Sequence, residues 1–187
     1  MASILIPLAH GCEELEAVTL IDLFRRAGFQ VITAGLEPGP VRCSRGTVLI
    51  PDQTLEEAEH GDYDLMVLPG GQPGADHLNA DPRVHRLLTK MSEGDHYVGA
   101  ICAAPKVLAD AGLLKGKRAT AYPGVLEAMD LGTDTELTTA TVQRDGKVIT
   151  SRGPGTAMDF ALDLIELLAG PEKRRQVEEP LQRPGGG

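Results

Sequence analysis

Short apolar stretches alternate along this chain with longer segments in which apolar residues recur every three or four positions. The short stretches are typical of buried β-strands, and the longer segments are typical of helices that bury one face. The pattern predicts strands at Ser3–Ala9, Phe29–Leu36, Tyr63–Leu68, Tyr97–Ile101 and Arg118–Ala121. It predicts helices at Glu13–Ala27, Leu55–His60, Pro82–Ser92, Ala103–Ala111, Gly124–Met129 and Gly155–Leu168. This alternation indicates an α/β fold with a mostly parallel central sheet and helices on both faces.

Turn-forming residues predict two hairpins in addition. Asp145-Gly146 is a strong signal for a two-residue hairpin turn. The Pro38-Gly39-Pro40 turn leads into two strand-like pieces that suit a hairpin better than a helix. The paired strands are expected at Val41–Cys43 with Val48–Ile50, and at Thr138–Gln143 with Lys147–Thr150.

Length and charge restrict the possible functions. The 187 residues favour a single domain, which we expect to span residues 1–181, with residues 182–187 as a disordered tail. The net charge of −9 argues against nucleic acid as a partner, because phosphate binding needs a concentrated basic face. No apolar stretch approaches the roughly 18 residues of a membrane span, so no membrane interaction is expected. The N-terminus lacks a basic leader and runs directly into a strand pattern, so no signal peptide is predicted.

The chain has three cysteines, Cys12, Cys43 and Cys102. Their odd number and their spacing do not match a metal site, so no metal is predicted. This usage indicates reduced thiols and a cytoplasmic protein. Each of the three is open to the simple interpretation of a buried core residue, because free cysteine is among the most buried residue types.

The segment around Cys102 favours a reactive thiol. The strand-like run Tyr97–Ile101 ends at Cys102, and a helix-forming run with Pro105 near its start follows without a spacer. This is the pattern of a nucleophile elbow, a sharp strand-to-helix turn that presents one side chain above the sheet. The helix N-terminus is expected to lower the pKa of the thiol.

Three loops are predicted to meet at the carboxyl edge of the sheet, where α/β proteins place their sites. They are Ala9–Glu16, Pro69–Gly74 and the Cys102 elbow. All five histidines precede Cys102, which argues against a glutamine-amidotransferase or protease arrangement with a downstream histidine. His10 and Glu16 remain as groups that approach the thiol; a buried Glu16 would shuttle a proton, and an exposed one would only complement the helix dipole.

Five ordered motifs resemble the ThiJ/PfpI superfamily, and within it the branch of YajL-like proteins and protein deglycases. They are Glu13–Val18, Cys43–Arg45, Val67–Gly71, Ala100–Pro105 and Thr150–Thr156. The resemblance extends from about Ile4 to about Leu181 and implies a flavodoxin-like three-layer sandwich that forms a homodimer.

The resemblance also implies roles for individual residues. Cys102 matches the oxidation-sensitive nucleophile, and Glu16 matches the protonated glutamate that binds it. The backbones of Gly70, Gly71 and Ala103 match an oxyanion pocket. Arg45 and Arg26 match basic residues near the site and the dimer interface, and Arg26 is expected to reach towards the partner's site and help bind an anionic substrate.

One position departs from part of the family. Some members carry a histidine where this chain has Tyr122. Tyrosine shapes a pocket or forms hydrogen bonds but is a poor base at neutral pH. Any activity must therefore rest on Cys102 and Glu16.

Two functions use this same pair of residues. In the first, the thiolate attacks an α-oxoaldehyde such as methylglyoxal or glyoxal, or its early adduct on a protein, and a 2-hydroxy acid is released without a cofactor. In the second, peroxide oxidises Cys102 to a sulfinate, and the oxidised dimer acts as a chaperone. The sequence leaves both open, with the glyoxalase or deglycase activity favoured.

Overall fold

The computed structural model describes residues 1–184. Its strands are β1 Ser3–Leu8, β2 Gln30–Gly35, β3 Val41–Arg42, β4 Val48–Leu49, β5 Gln53–Thr54, β6 Leu65–Leu68, β7 Tyr97–Ile101, β8 Arg118–Ala119, β9 Glu136–Leu137, β10 Val142–Asp145 and β11 Val148–Ser151. Its α-helices are α1 Glu14–Arg26, α2 Leu55–Ala58, α3 Gly74–Ala80, α4 Pro82–Glu93, α5 Pro105–Asp110 and α6 Ala157–Glu178.

The central sheet has seven strands in the order β10-β11-β7-β6-β1-β2-β5. Every neighbouring pair is parallel except the β10–β11 pair at one edge. Helices cover both faces, so the predicted three-layer α/β sandwich with a mostly parallel sheet is confirmed. Both predicted hairpins are present, since β3 pairs with β4 and β10 with β11 in antiparallel fashion. In the second hairpin the first strand begins at Val142 instead of Thr138, and the turn is Gly146-Lys147 because Asp145 still pairs with Val148.

Strand β1 shows why the core lies on both sides of the sheet. Ile4, Ile6 and Leu8 point to the face covered by α1 and α6. Leu5 and Ala9 point to the opposite face, which the remaining helices cover. All five side chains are buried, because successive residues of a strand alternate between faces and both faces are covered.

One local prediction is wrong, and three short elements of the structure were not predicted. Residues Gly124–Met129 form successive turns instead of a helix, since Gly124 has φ of +89°. Helix α3 and strands β5 and β9 were not predicted, because they are short and lack clear apolar periodicity.

The C-terminal region is ordered further than the sequence indicates. The predicted helix Gly155–Leu168 lies mostly within α6, whose helical conformation breaks at Gly170 with φ of +85°, and a further helical piece begins at Pro171. Within the predicted tail, the Arg183 guanidinium binds Asp159 and Glu178 at 2.6 and 2.8 Å. Residues 185–187 lie outside the described residues. No helix within residues 1–184 is long and apolar enough to cross a membrane.

Candidate active site

The candidate site lies where the direction of chain winding reverses. The chain passes from β1 to β2 on one side, and β6 then pairs with β1 on the other side. Crevices at such reversals, beyond the carboxyl ends of the strands, are the usual binding sites of open α/β sheets. The loops that follow β1, β6 and β7 meet there, as the sequence predicts.

Cys102 occupies a strained turn directly after β7. Its φ of +64° lies in the left-handed region that residues with a Cβ rarely adopt. Two backbone hydrogen bonds hold this conformation: Cys102 N donates to Ser151 O at 3.1 Å, and Tyr122 N donates to Cys102 O at 2.9 Å. Pro105 is the first residue of α5. The predicted nucleophile elbow is therefore present.

Glu16 is the third residue of α1, and its side chain is fully buried. Its Oε2 accepts a hydrogen bond from Gly70 N at 2.7 Å. Its Oε1 has no nitrogen or oxygen partner within residues 1–184. The carboxyl lies close enough to the Cys102 thiol to change the pKa of both groups. The structure thus brings a buried carboxyl and a cysteine together at the end of the sheet.

The Glu16 charge opposes ionisation of Cys102, whereas the Cys102 thiol, as a hydrogen-bond donor, favours the ionised form of Glu16. Burial raises the pKa of Glu16 to about 7. Burial, reinforced by the Glu16 charge, raises the pKa of Cys102 to about 12, although the N–H groups of Gly71 and Ala103 act in the opposite direction. The predicted low pKa of Cys102 is therefore wrong. The helix α5 has only six residues, and its N-terminus does not outweigh burial beside a carboxylate.

The pKa of Glu16 leads to a prediction about stability. Because this pKa is raised from 4.5 to about 7 in the folded chain, the folded state holds a proton that the unfolded chain releases. The stability that Glu16 contributes is present below pH 4.5 and is lost as the pH rises through 7. The free energy of unfolding, measured with urea, should therefore increase for Glu16→Gln relative to the wild type by about 3 kcal/mol as the pH rises over this range. Glu13→Gln, in the same part of the chain, controls for the loss of one charge. A difference that stays constant with pH would contradict the raised pKa.

Glycine is required at two positions of the β6 loop. A Cβ at Gly70 would lie 2.7 Å from Cys102 Cβ and 2.9 Å from Ala103 N. A Cβ at Gly71, where φ is +89°, would lie 2.3 Å from Glu13 N. The loop therefore packs its bare backbone against the elbow and against the start of α1.

Gly70→Ala should displace the elbow and lower both stability and reactivity. Its new methyl group meets backbone and Cβ atoms that cannot rotate away, so we expect a loss of about 1–3 kcal/mol in the free energy of unfolding. Alkylation of Cys102 by iodoacetamide should slow in parallel. Gly155→Ala is the matched control, since a Cβ there meets nothing within 4 Å. Equal stability of the two variants would show that the loop tolerates a side chain.

The backbone N–H groups of the predicted oxyanion pocket divide between two partners. Those of Gly71 and Ala103 lie against Cys102, whereas that of Gly70 binds Glu16. The prediction for Gly70 is therefore corrected: its N–H fixes the carboxyl and is not free to bind an oxyanion.

Arg45 lies on the loop between β3 and β4 with an exposed side chain. Its backbone N donates to Glu14 Oε1 at 3.0 Å. Slight burial of Glu14 acts to raise its pKa, but several hydrogen bonds, among them those from Arg45 and Ser44, outweigh this effect and lower the pKa to about 2. Glu14 therefore anchors this loop to the start of α1, a role the sequence did not indicate.

Arg26 and Tyr122 lie at different distances from the site. Arg26 is ten positions after Glu16 on α1, which is about 15 Å along the helix axis. Its Nε binds Asp22 at 2.7 Å, so within one chain it does not line the site. Tyr122 is adjacent: its N–H binds Cys102, and its half-exposed ring lies over Gly153.

His10 does not contact Cys102. Its Nδ1 accepts a hydrogen bond from Arg42 N at 3.0 Å, and its carbonyl oxygen lies 2.8 Å from His77 Nδ1. No group of three or more His, Cys, Asp or Glu side chains in the described part of the chain is placed to hold a metal ion. The titratable pair that the structure brings together at this edge of the sheet is Cys102 and Glu16, with the backbone N–H groups of Gly71 and Ala103 beside the thiol.

Known proteins share this fold and much of the sequence. The chain is 44% identical over 179 residues to Parkinson disease protein 7 homolog of Danio rerio, with 95% of each chain covered. It is 38% identical over 180 residues to Glutathione-independent glyoxalase DJR-1.2 of Caenorhabditis elegans, covering 96% of this chain and 95% of that protein.

Among solved structures, the crystal structure of Drosophila melanogaster DJ-1beta superposes with a TM-score of 0.91 at 41% identity, covering 96% of this chain and 97% of that one. The structure of oxidized Toxoplasma gondii DJ-1 gives a TM-score of 0.92 at 36% identity, with 97% and 98% covered. A sequence profile described as the DJ-1/PfpI family matches residues 2–167. With the elbow, the buried carboxyl and these matches together, the chain belongs to the DJ-1/PfpI family.

Proposed function

We propose that this protein converts α-oxoaldehydes such as methylglyoxal and glyoxal, or their early adducts on proteins, to 2-hydroxy acids without a cofactor. One observation carries the proposal: the buried Glu16 carboxyl, with Oε1 unpaired among the described residues, lies beside Cys102 on its elbow. The relative named a glutathione-independent glyoxalase supports the substrate class.

The reactive form has the proton on Glu16 and the negative charge on Cys102. In that form the carboxyl donates a hydrogen bond to the thiolate, and the repulsion between two negative charges is absent. A raised Glu16 pKa of about 7 keeps a proton available on the carboxyl at neutral pH. The N–H groups of Gly71 and Ala103 further favour the thiolate.

The reaction then follows in balanced steps. The Cys102 thiolate adds to the aldehyde carbon of methylglyoxal, and the resulting alkoxide takes the proton from Glu16 to give a hemithioacetal. The Glu16 carboxylate removes the proton from that carbon, which gives an enediolate, and returns it to the neighbouring carbonyl carbon. The hydroxyl proton of the hemithioacetal moves to the oxygen of that neighbouring carbon, which leaves a thioester of lactate on Cys102. Water hydrolyses the thioester, releasing lactate and regenerating the thiol. Tyr122, a poor base, borders the pocket and takes no part in proton transfer.

The test is production of lactate from methylglyoxal in the absence of glutathione. The fully reduced protein should form lactate at a steady rate, and mild peroxide treatment should stop it as Cys102 is consumed. Activity that appears only after oxidation would contradict the proposal and favour the second function.

That second function is a redox sensor and chaperone. Cys102 is partly exposed with N–H groups against its sulfur, an arrangement that would stabilise a sulfinate. A solved structure of a relative, Toxoplasma gondii DJ-1, is of the oxidized protein. Three free cysteines are typical of a protein in a reducing compartment, so we propose that the protein acts in the cytoplasm under either function.

We further propose that the protein acts as a homodimer through α1. The two arginines at the end of α1 pair within one chain, since Arg25 binds Asp52 and Arg26 binds Asp22. Exposed apolar side chains on α1 and the neighbouring β3–β4 region offer a better interface. They are Leu15, Val18, Val48 and Ile50.

Val18→Glu should break this dimer. Light scattering should give about twice the 19.8 kDa chain mass for the wild type, and a monomer for the variant, because a two-fold axis places the new charge twice in an apolar contact. Leu137→Glu is the matched control, since Leu137 is similarly exposed on β9. A wild-type monomer at micromolar concentration would rule the dimer out. Dimerisation of Val18→Glu would place the interface elsewhere.

A further inference from the structure

Two cysteines outside the candidate site touch each other in the core. The sulfur atoms of Cys12 and Cys43 are 3.6 Å apart, although the residues are 31 positions apart in sequence. Both side chains are buried, and both thiols are free. Neither takes part in the chemistry proposed for Cys102 and Glu16.

The backbone holds this pair in register. Gly11 N donates to Arg42 O at 2.8 Å, and Ser44 N donates to Cys12 O at 2.8 Å. These bonds flank Cys43 on both sides and fix it opposite Cys12. The side chain of Ser44 also binds Glu13 and Glu14 at 3.1 Å, so the contact continues to the start of α1. The sulfur atoms therefore meet through two segments already joined by hydrogen bonds.

We propose that Cys12 and Cys43 form a second oxidation site, a dithiol that closes to an intramolecular disulfide under hydroperoxide. One sulfur attacks a peroxide oxygen, the O–O bond breaks, and a sulfenic acid and one water are formed. The other sulfur attacks that sulfenic sulfur, its S–O bond breaks, and a second water leaves. The two thiols lose two electrons and two protons, which reduce hydrogen peroxide to water.

The geometry favours the second step over other fates of the sulfenic acid. The sulfurs need only approach from 3.6 Å to a bond of about 2.05 Å. The attacking thiol is already in place, so the reaction is intramolecular. The first step is slower than at Cys102, because both thiols are buried whereas Cys102 is partly exposed. The two sites therefore respond in sequence as the peroxide dose rises.

The disulfide would join the β3–β4 region covalently to the segment that leads into α1. It constrains the unfolded chain over the 31 positions between the cysteines. Oxidation at this second site therefore stabilises the fold and is independent of turnover at Cys102.

The experiment uses the Cys102→Ser protein, so that only the proposed pair reacts. After graded hydrogen peroxide, blocking of free thiols and proteolysis, mass spectrometry should find the Cys12 and Cys43 peptides linked and lighter by two hydrogens. The melting temperature should rise by roughly 5–10 °C relative to protein reduced with dithiothreitol. Adding Cys43→Ala, or separately Cys12→Ala, should remove both effects.

Three results would overturn the proposal: both thiols still free at ten times the dose that consumes Cys102 in the wild type, separate sulfinates on the two cysteines, or a link between chains. The peptide mapping decides this in the Cys102→Ser protein itself, even where an alanine variant does not fold. Because the tested protein lacks Cys102, a failure to form the disulfide would not argue against the proposed turnover. In the same way, a lack of turnover in the wild type would not argue against the disulfide.

Discussion

Replacing Cys102 with serine should abolish turnover of methylglyoxal, with kcat/KM falling by at least about three orders of magnitude. Cys102 is the nucleophile on the elbow, and a serine hydroxyl there has no histidine base to activate it, since His10 binds Arg42 instead. Lactate formation measured at saturating methylglyoxal checks the result. The serine fits the same backbone conformation, so circular dichroism should show an unchanged fold.

Cys43→Ala is the control for general effects of losing a thiol. Cys43 packs against Cys12 in the core, and its sulfur is not part of the Cys102–Glu16 pair. Turnover by Cys43→Ala should therefore stay within about twofold of the wild type. If Cys102→Ser retained wild-type turnover, the lactate would have to come from another group, and the assignment of the nucleophile would be wrong.

Glu16→Gln should reduce turnover by about two to three orders of magnitude. Glutamine keeps an oxygen for the Gly70 N–H and an N–H donor for the Cys102 sulfur, but it cannot accept and return a proton. Cys102 should therefore still react with iodoacetamide while lactate formation fails. Separate measurement of alkylation and turnover distinguishes the loss of proton transfer from the loss of the nucleophile.

Glu13→Gln is the matched control for this substitution. Glu13 precedes α1 and binds Leu15 N and the Ser44 hydroxyl, contacts that a glutamine oxygen can keep. Its turnover should resemble that of the wild type. Wild-type turnover by Glu16→Gln would show that Glu16 only supports the loop at Gly70, and the proposed proton relay would fail.

Much of the fold follows from local sequence patterns. Buried strands such as β6 read as continuous apolar runs because both faces of the sheet are covered. The elbow at Cys102 was predictable because strand, cysteine and first-turn proline are adjacent in sequence. Gly70 and Gly71 likewise predicted a loop, because the preference of glycine for such backbone conformations can be recognised from adjacent residues alone.

Features that depend on contacts between distant segments were not predictable in this way. The sequence placed Glu16 near the elbow but could not show that its partner is the Gly70 N–H, 54 positions away. The expected low pKa of Cys102 failed because burial beside a carboxylate outweighs a six-residue helix. The contact between Cys12 and Cys43 has no sequence signal at all.

The most direct test of the Cys102–Glu16 mechanism is proton NMR of the lactate formed from methylglyoxal in D2O by the reduced protein without glutathione. The account predicts many lactate molecules per Cys102, with deuterium at the carbon that carries the hydroxyl, because the Glu16 carboxyl exchanges its proton with solvent before returning it. At most one lactate per Cys102, or lactate in which the hydrogen of the aldehyde carbon has moved to that carbon without exchange, would contradict it.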